Sequence, residues 1–185
     1  MTNIILASAS PRRKEILSNA DYKFEIIPSN YDEKICGLNY SDGLLKNCSL
    51  QKALDVKQRV KNNNIIVSAD TVVVLNNKIL GKPKDYDEAV LMLENLSNKE
   101  HFVATSITLI YNEKVLSDVE KTKVVFRKLT KEDIENYLEN KKPFDKAGSY
   151  GIQDEGFDFV LRIDGELDNV IGFPLKLFEK MFKSI

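Results

Sequence analysis

The stretch "NIIVSADTVVVLNNKILGKP" (residues 64–83) contains two apolar runs with an acid and a threonine between them. The first run predicts a buried strand over residues 65–69. The second predicts a β-hairpin, "TVVVL" followed by "KIL", that turns at Asn76 and Asn77. Asp70 and Thr71 are therefore expected where the first strand ends, and strand ends are where ligand clefts form in open α/β sheets.

Outward from this stretch, strand and helix patterns mix without a regular alternation. "NIILA" near the N-terminus predicts a short strand, and Ser10 followed by Pro11 predicts the start of a helix. Two long β-type runs, "HFVATSITLIY" and "KTKVVFRKL", are joined by the polar stretch "NEKVLSDVE". Further helices are expected over residues 41–61, from Asp85, after Thr130 and from Pro174. The pattern predicts an α/β or α+β fold, with one domain over residues 1–185 and a long, twisted mixed sheet flanked by helices.

The charge balance bears on which partners the protein can bind. Its 28 acidic residues nearly cancel its 27 basic residues, so there is no broad positive field, and stable nucleic-acid binding is not expected. No apolar run approaches the roughly 20 residues that a membrane span needs, so no membrane partner is expected. Cys36 and Cys48 do not form a disulfide framework and are interpreted as reduced thiols. The expected location is the cytoplasm.

Several classes of catalytic site are excluded by the residues that the chain has. His101 is the only histidine, which rules out a multi-histidine metal site, and any serine–histidine–acid triad would have to use it. Its place at the start of a β-type run favours a surface histidine or one whose hydrogen bonds are satisfied. Neither a P-loop nor a Rossmann fingerprint occurs in the sequence.

Polar residues at predicted strand ends are the remaining candidates for a site. "LASASPRRKEIL" (residues 6–17) places hydroxyls and two arginines at a helix start, which suits phosphate binding or simply a capped helix with solvated arginines. Asp70 is interpreted as a metal ligand or general base, with a turn former or salt-bridge partner as the alternatives. Lys82 in "LGKP" suits a polyphosphate oxygen, and the alternative is a solvated surface lysine.

Taken together, these pieces resemble the Maf-like nucleoside-triphosphate pyrophosphatases. The matching segments are "LASASPRRKEIL", the "DE" of "NYDEKI", "QKA", "SADTVV", "ILGKP", "KAGSYGIQ" and "NVIGFPL". The resemblance implies two lobes around a central cleft, as in the related inosine-triphosphate pyrophosphatases. It also implies an enzyme that cuts a nucleoside triphosphate between its α- and β-phosphates and needs a divalent cation, Mg²⁺ or Mn²⁺.

The resemblance assigns roles to individual residues. Asp70 matches the acid that accepts the proton of the attacking water, and Glu33 matches an acid at the metal site beside it. The residues that match phosphate-facing positions are Ser8, Arg13, Lys52 and Lys82. The segment before Lys52 departs from the family pattern, which makes Glu33 and Lys52 less secure than Asp70.

Three residues fall where the family's branches differ in base preference. They are Arg12, Thr71 and Gln153, and their combination resembles the branch that acts on dTTP and UTP. The amide of Gln153 carries a donor and an acceptor, which suits a thymine or uracil edge, and Thr71 is a candidate to contribute its hydroxyl. A purine or methylated-guanine triphosphate is the alternative substrate. A regulatory or nucleic-acid-associated protein that acts by binding, with a role in septum formation, is the alternative class. Members of the family are often dimers, so the resemblance also favours a homodimer.

Overall fold

A computed structural model describes residues 3–32, 34–35, 38–60 and 63–185 of the chain. Within these residues, seven strands form one sheet. They are β1 (Asn3–Leu6), β2 (Phe24–Ile26), β3 (Asn64–Leu75), β4 (Lys78–Leu80), β5 (Glu100–Tyr111), β6 (Lys114–Phe126) and β7 (Val160–Asp164). The helices are α1 (Pro11–Asn19), α2 (Asp42–Lys57), α3 (Tyr86–Leu96), α4 (Lys131–Lys141), α5 (Leu167–Ile171) and α6 (Leu175–Phe182). None of the described helices is both long and apolar enough to cross a membrane.

The sheet is mixed, as the sequence predicts. Its strand order is β2-β1-β3-β5-β6-β7, and β4 pairs with β3 beside this path. Strand β1 runs parallel to β2 and β3. Strand β5 pairs antiparallel with β3, β6 with β5, and β7 with β6. The sheet therefore joins a parallel part, built by crossovers from the N-terminal third, to an antiparallel meander.

Helices cover both faces of the parallel part because the side chains of β1 alternate between them. Ile4 and Leu6 pack in one cluster with Phe178 of α6. Ile5 packs on the opposite face with Val56 of α2. A strand that is buried on both faces reads as the continuous apolar run that "NIIL" shows. The prediction of a mixed sheet flanked by helices is confirmed.

Strand β3 is continuous, so the predicted break at Asp70 is wrong. Strand β5 pairs with β3 in one unbroken antiparallel register, from Ile66 opposite Ile110 to Val74 opposite Phe102. The polar residues in the middle of β3 therefore lie within this ladder and do not interrupt its pairing with β5. The predicted turn is confirmed, because Asn76 and Asn77 have φ values of 49° and 63°, as a type I′ hairpin requires.

The other edge of β3 is covered only at its two ends. Strand β1 pairs with residues 64–67 and β4 pairs with residues 73–75. Among the described residues, no strand pairs with residues 68–72 on this edge. Ala7 N donates to Val67 O at 2.7 Å, and beyond Ala7 the chain leaves this edge of β3. A cleft opens at this gap, with Asp70 and Thr71 at its base.

One further prediction about the C-terminal half needs correction. Most of the polar stretch "NEKVLSDVE" belongs to a strand and does not merely join two strands, since β5 ends at Tyr111 and β6 already begins at Lys114. Its residues pair with β5 while many of their side chains stay partly exposed, which explains the polar pattern. The terminal helix that the sequence predicts from Pro174 is confirmed as α6, for which Pro174 is the N-cap residue. The short α5 was not predicted, and it is separated from α6 at Gly172 with φ 121°.

Candidate active site

The gap beside β3 opens into a cavity of about 890 Å³. This volume lies in the range that small-molecule sites occupy. The predicted site residues that the structure describes all line it, namely Ser8, Arg12, Arg13, Lys52, Asp70, Thr71, Lys82 and Gln153. Glu33, the other predicted residue, lies outside the described residues. Side chains from distant parts of the sequence therefore share one cavity.

Arg13 is held in place by three neutral oxygen acceptors. Its Nε donates to Gly172 O at 3.0 Å, its Nη1 to Ser8 Oγ at 3.0 Å and its Nη2 to Thr71 Oγ1 at 3.1 Å. Pro11 begins α1 just before it, and the extended Ser10 is the N-cap residue, although the Ser10 side chain makes no capping hydrogen bond. The three bonds orient the guanidinium within the cavity lining.

A buried ion pair lies at the base of the cavity. Lys52 Nζ is 2.7 Å from Asp70 Oδ1, and the two side chains are 10% and 8% exposed. Lys52 comes from α2, which packs on β3, while Asp70 lies in the uncovered middle of β3. An ammonium at this distance stabilises the ionised carboxylate. Removing one partner of a buried ion pair is strongly destabilising, because the other charge stays buried.

The opposite side of the cavity carries ion pairs that reach solvent. Asp145 accepts from Arg12 Nη1 at 3.2 Å and from Lys146 Nζ at 3.1 Å, and its side chain is 61% exposed. Burial raises the pKa of the Asp145 carboxyl, but hydrogen bonds from Lys146 and Arg12 outweigh it and the net shift is downward. Lys146 Nζ also lies 3.9 Å from Asp154 Oδ2. The Asp145 carboxylate thus bonds both Arg12 and Lys146 at the cavity mouth.

Lys82 is exposed and lies two residues after the end of β4, in a segment without regular secondary structure. The neighbouring Gly81 accepts a backbone hydrogen bond from Gly148 at 3.0 Å, which brings the 145–154 loop against β3. Gly148 has φ 69°, and a Cβ there would lie 2.9 Å from Val73. Only glycine allows this close approach.

Gln153 lies in a turn that Tyr137 of α4 fixes. The Tyr137 hydroxyl donates to Asp154 Oδ2 at 2.6 Å and accepts from Gly151 N at 2.9 Å. These two bonds bracket Gln153, whose exposed side chain lines the cavity. The amide is therefore presented from an anchored turn.

His101 is buried behind the cavity and does not line it. Its Nε2 lies 2.9 Å from the hydroxyl of Tyr150, which confirms the prediction of a hydrogen-bonded histidine for this nitrogen. Within the described chain, Nδ1 is buried without a hydrogen-bond partner. Burial lowers the pKa of His101 to about 4, so the ring is neutral near pH 7.

Comparison with known proteins identifies the family. A family model described as "Maf-like protein" matches residues 3–185. The chain belongs to the Maf-like family. This Maf-like chain is 44% identical over 179 residues to a dTTP/UTP pyrophosphatase of a Thermoanaerobacter species, an alignment that covers 95% of this chain and 93% of the relative. It is also 43% identical over 183 residues to a dTTP/UTP pyrophosphatase of Clostridium botulinum, with 97% of both chains covered.

The fold of this Maf-like chain recurs in a solved structure. The crystal structure of a nucleoside-triphosphatase / dITP/XTP pyrophosphatase from Mycobacterium abscessus aligns with a TM-score of 0.50 and 13% identity. The alignment covers 98% of this chain and 94% of that chain. The likeness confirms the predicted fold class.

Several residues of the Maf-like cavity were not found by sequence reasoning. Lys146 lies within the quoted motif "KAGSYGIQ", so its motif signalled it although no role was assigned. Asp145 directly precedes that motif, and Tyr137 is separated from the turn that it fixes by fourteen residues. Their contributions arise from loop geometry, which carries no periodic pattern.

The donor set of the cavity fits a divalent cation that arrives with a nucleotide. Among the described residues, no group of three or more metal-ligating side chains forms a ready-made cage. Mg²⁺ commonly binds through one or two carboxylates together with substrate phosphates and water. Asp70 and Asp32 both line the cavity and supply oxygen donors of this kind.

Proposed function

We propose that this chain hydrolyses dTTP and UTP to the nucleoside monophosphate and pyrophosphate, with a divalent cation as cofactor. The observation that carries the proposal is the buried pair of Lys52 and Asp70 at the base of a cavity lined by further cations. The relatives at about 44% identity over most of their length support the choice of substrates.

The described lining of the cavity carries a small excess of positive charge, because its five cations outnumber the four carboxylates of Asp32, Asp70, Asp145 and Asp154. A triphosphate with one bound Mg²⁺ remains an anion, and the formal net charge of the protein is only −1. The cations of the cavity are Arg12, Arg13, Lys52, Lys82 and Lys146. Because several of them come from different elements, the folded cavity concentrates charge that the sequence spreads widely.

In the proposed mechanism Asp70 acts as the general base. Its carboxylate accepts a proton from water, and the water oxygen forms a new bond to phosphorus. The anhydride bond between the α- and β-phosphates breaks, and its electron pair leaves with pyrophosphate. Lys52 holds Asp70 Oδ1 and keeps the carboxylate ionised until it takes the proton. Arg13 and Lys82 bind phosphate oxygens, and Ser8 orients Arg13.

A divalent cation, Mg²⁺ or Mn²⁺, would be held by Asp70 and by phosphate oxygens, with Glu33 as a further ligand that the family resemblance implies. It would neutralise the charge that builds up on the phosphates during the reaction. Asp70 must then serve both as a cation ligand and as the proton acceptor. This chain's own part is to keep that carboxylate ionised and in reach.

Base selection is proposed to reside on the opposite side of the cavity. The Gln153 amide presents a donor and an acceptor, which matches the imide N–H and a carbonyl of thymine or uracil. Arg12 lies at the same side, bonded to Asp145. The homodimer and the cytoplasmic location stay predictions.

The decisive experiment measures pyrophosphate and orthophosphate separately. Purified protein is incubated with dTTP, UTP, CTP, GTP, ITP and 7-methyl-GTP, with Mg²⁺ or Mn²⁺. We expect pyrophosphate and no orthophosphate, with dTTP and UTP turned over fastest. Release of orthophosphate would contradict the proposed bond cleavage, and a preferred purine would contradict the base assignment.

A matched pair of variants sharpens the base assignment. Gln153→Glu replaces an amide by a carboxylate of the same shape, which cannot donate a hydrogen bond. We expect kcat/KM for dTTP and UTP to fall by about 100-fold, as for loss of a specific base contact. Gln58→Glu, on an exposed residue outside the cavity, should leave all rates unchanged. An unaltered substrate profile for Gln153→Glu would remove this residue from base selection.

A further inference from the structure

A short chain of hydroxyl groups lies directly behind Arg13. Thr105 of β5 is the register partner of Thr71 in β3, and their Oγ1 atoms are 3.0 Å apart. Thr105 is fully buried and does not line the cavity. Its hydroxyl also donates to Asn169 O at 3.1 Å. Arg13 Nη2 donates to Thr71 Oγ1 at 3.1 Å, so the chain runs from the cavity surface into the core.

The direction of these hydrogen bonds determines what Thr71 can offer to a substrate. Asn169 O is a carbonyl and only accepts, so when Thr105 donates to it the bond between the two threonines is donated by Thr71. If Thr105 donates to Thr71 instead, the Thr71 hydrogen has Gly172 O as its acceptor at 3.3 Å. In both arrangements the single Thr71 hydrogen points to the protein. Its oxygen accepts from Arg13.

The same network positions the backbone of Gly172, whose carbonyl accepts from Nε of the Arg13 guanidinium. Asn169 is fully buried, and its Nδ2 donates to Val103 O at 3.0 Å and to Thr122 Oγ1 at 3.1 Å. These bonds tie α5 to β5 and β6. Gly172 directly follows α5, and its carbonyl accepts from Arg13 Nε at 3.0 Å. Two acceptors of Arg13, Thr71 Oγ1 and Gly172 O, therefore depend on contacts with Thr105 or with the helix that it bonds.

We propose that Thr105 is a positioning residue of the cavity and that Thr71 acts on the substrate through Arg13, not through the base. That Arg13 binds a phosphate group of the substrate rests on the proposed function. The hydroxyls of Thr71 and Thr105 are both bonded within the protein, although Asn169 Oδ1 beside them is buried without a partner among the described residues, and such bonded hydroxyls hold their neighbours in place. The guanidinium is thereby fixed before the nucleotide binds.

The test uses equilibrium binding of α,β-methylene-UTP, a nucleotide whose cleavable bridge is replaced by carbon. Thr105→Val keeps the side-chain shape and removes the hydroxyl, and we expect binding about tenfold weaker because the cation is misplaced. Thr105→Ser keeps the hydroxyl and should restore the affinity. Thr108→Val is the matched control, since Thr108 is equally buried on β5 but bonds Ser49 and Ser117 outside the cavity. It should bind as the unaltered protein does.

A double-mutant cycle separates positioning from a general structural effect. If Thr105 acts through Arg13, adding Thr105→Val to Arg13→Ala should weaken binding no further. Independent effects that multiply in the double variant would overturn the proposal, as would unaltered binding by Thr105→Val. If circular dichroism shows that Thr105→Val does not fold, Thr71→Val enters the same cycle in its place.

The route through Arg13 also predicts an unchanged base preference. Thr71→Val should lower binding of α,β-methylene-UTP and α,β-methylene-GTP by the same factor. A shift in their ratio would show that Thr71 reads the base and would overturn the proposal. Because every readout is binding, absence of pyrophosphate release by the unaltered protein would refute the proposed function while the cycle still decides the role of Thr105.

Discussion

The two sides of the cavity hold their charged groups by different physical means. The inner wall is formed by Ser8, Arg13, Lys52, Asp70 and Thr71. The loop wall is formed by Arg12, Asp145, Lys146, Gln153 and Asp154. In the inner wall the Lys52–Asp70 pair is at most 10% exposed, and Arg13 is bonded to three neutral oxygens. In the loop wall Asp145 is 61% exposed and joins two cations.

This difference indicates which wall is fixed before substrate binds. Electrostatic interactions strengthen where water is excluded, and a buried charge that loses its partner is costly. Exposed ion pairs contribute little and are screened by salt. The inner wall therefore presents a preorganised site to the phosphates, whereas the contacts of the loop wall can exchange for contacts with the nucleotide.

The largest effect is expected when the inner-wall pair is broken. Lys52→Met removes the ammonium 2.7 Å from Asp70 and leaves the carboxylate buried, so we expect kcat/KM for dTTP to fall by about 1,000-fold and stability to fall by about 3 kcal/mol. Lys46→Met makes the same change on the same helix but breaks an exposed pair with Asp118. For Lys46→Met we expect kcat/KM to change by no more than about twofold and stability by no more than about 1 kcal/mol. Equal effects of the two variants would erase the contrast between buried and exposed pairs.

An intermediate effect is expected from the histidine that packs behind the loop wall. The pKa of His101 is lowered from 6.5 to about 4 by burial, so the unfolded chain binds a proton first as the pH falls. Stability should therefore decrease between pH 6.5 and pH 4, by about 3 kcal/mol in all from this residue. His101→Phe should remove that part of the slope in urea unfolding measured across this window.

Tyr150→Phe is the control for the pH experiment, because it deletes the same hydrogen bond and keeps the titrating ring. It should retain the pH dependence of the unaltered protein. If His101→Phe and the unaltered protein lose stability in parallel as the pH falls, the burial of a neutral His101 is not what makes this region acid-sensitive.

The smallest effect is expected from the exposed loop-wall carboxylate. Asp145→Asn removes a negative charge beside Arg12 and Lys146, so KM for dTTP should fall, by no more than about threefold, and the change should shrink as salt is added. Asp118→Asn alters a comparably exposed acid away from the cavity and should leave KM unchanged. A loss of activity as large as that of Lys52→Met would show that the loop wall is as preorganised as the inner wall.

Part of the inner wall could be predicted from local signals, because Ser8 follows the end of β1 and because Asp70 and Thr71 interrupt an apolar run. Lys82, a cavity residue outside both walls, was likewise signalled by the hairpin before it. The strand over residues 64–75 was misread as two, because a polar pair in its middle looks like a break when the partner strand is not known. Pairing with β5 is a tertiary interaction that overrides the local pattern.

The loop wall and the hydroxyl network could not be predicted in the same way. Asp145 meets Arg12 only because Gly148 lets the loop approach β3. Thr105 reads as one polar position in a β-type run, and its contact with Thr71 depends on strand register. Register and loop approach are set by the whole sheet and have no signature in a short stretch of sequence.

The most direct test of the account compares the unaltered protein with Asp70→Asn, in pyrophosphate release from dTTP with Mg²⁺. We expect steady pyrophosphate release by the unaltered protein, and release reduced by at least about 1,000-fold in a variant that remains folded by circular dichroism. A folded Asp70→Asn protein that hydrolyses dTTP at the normal rate would contradict the claim that the carboxylate at the uncovered edge of β3 activates the attacking water.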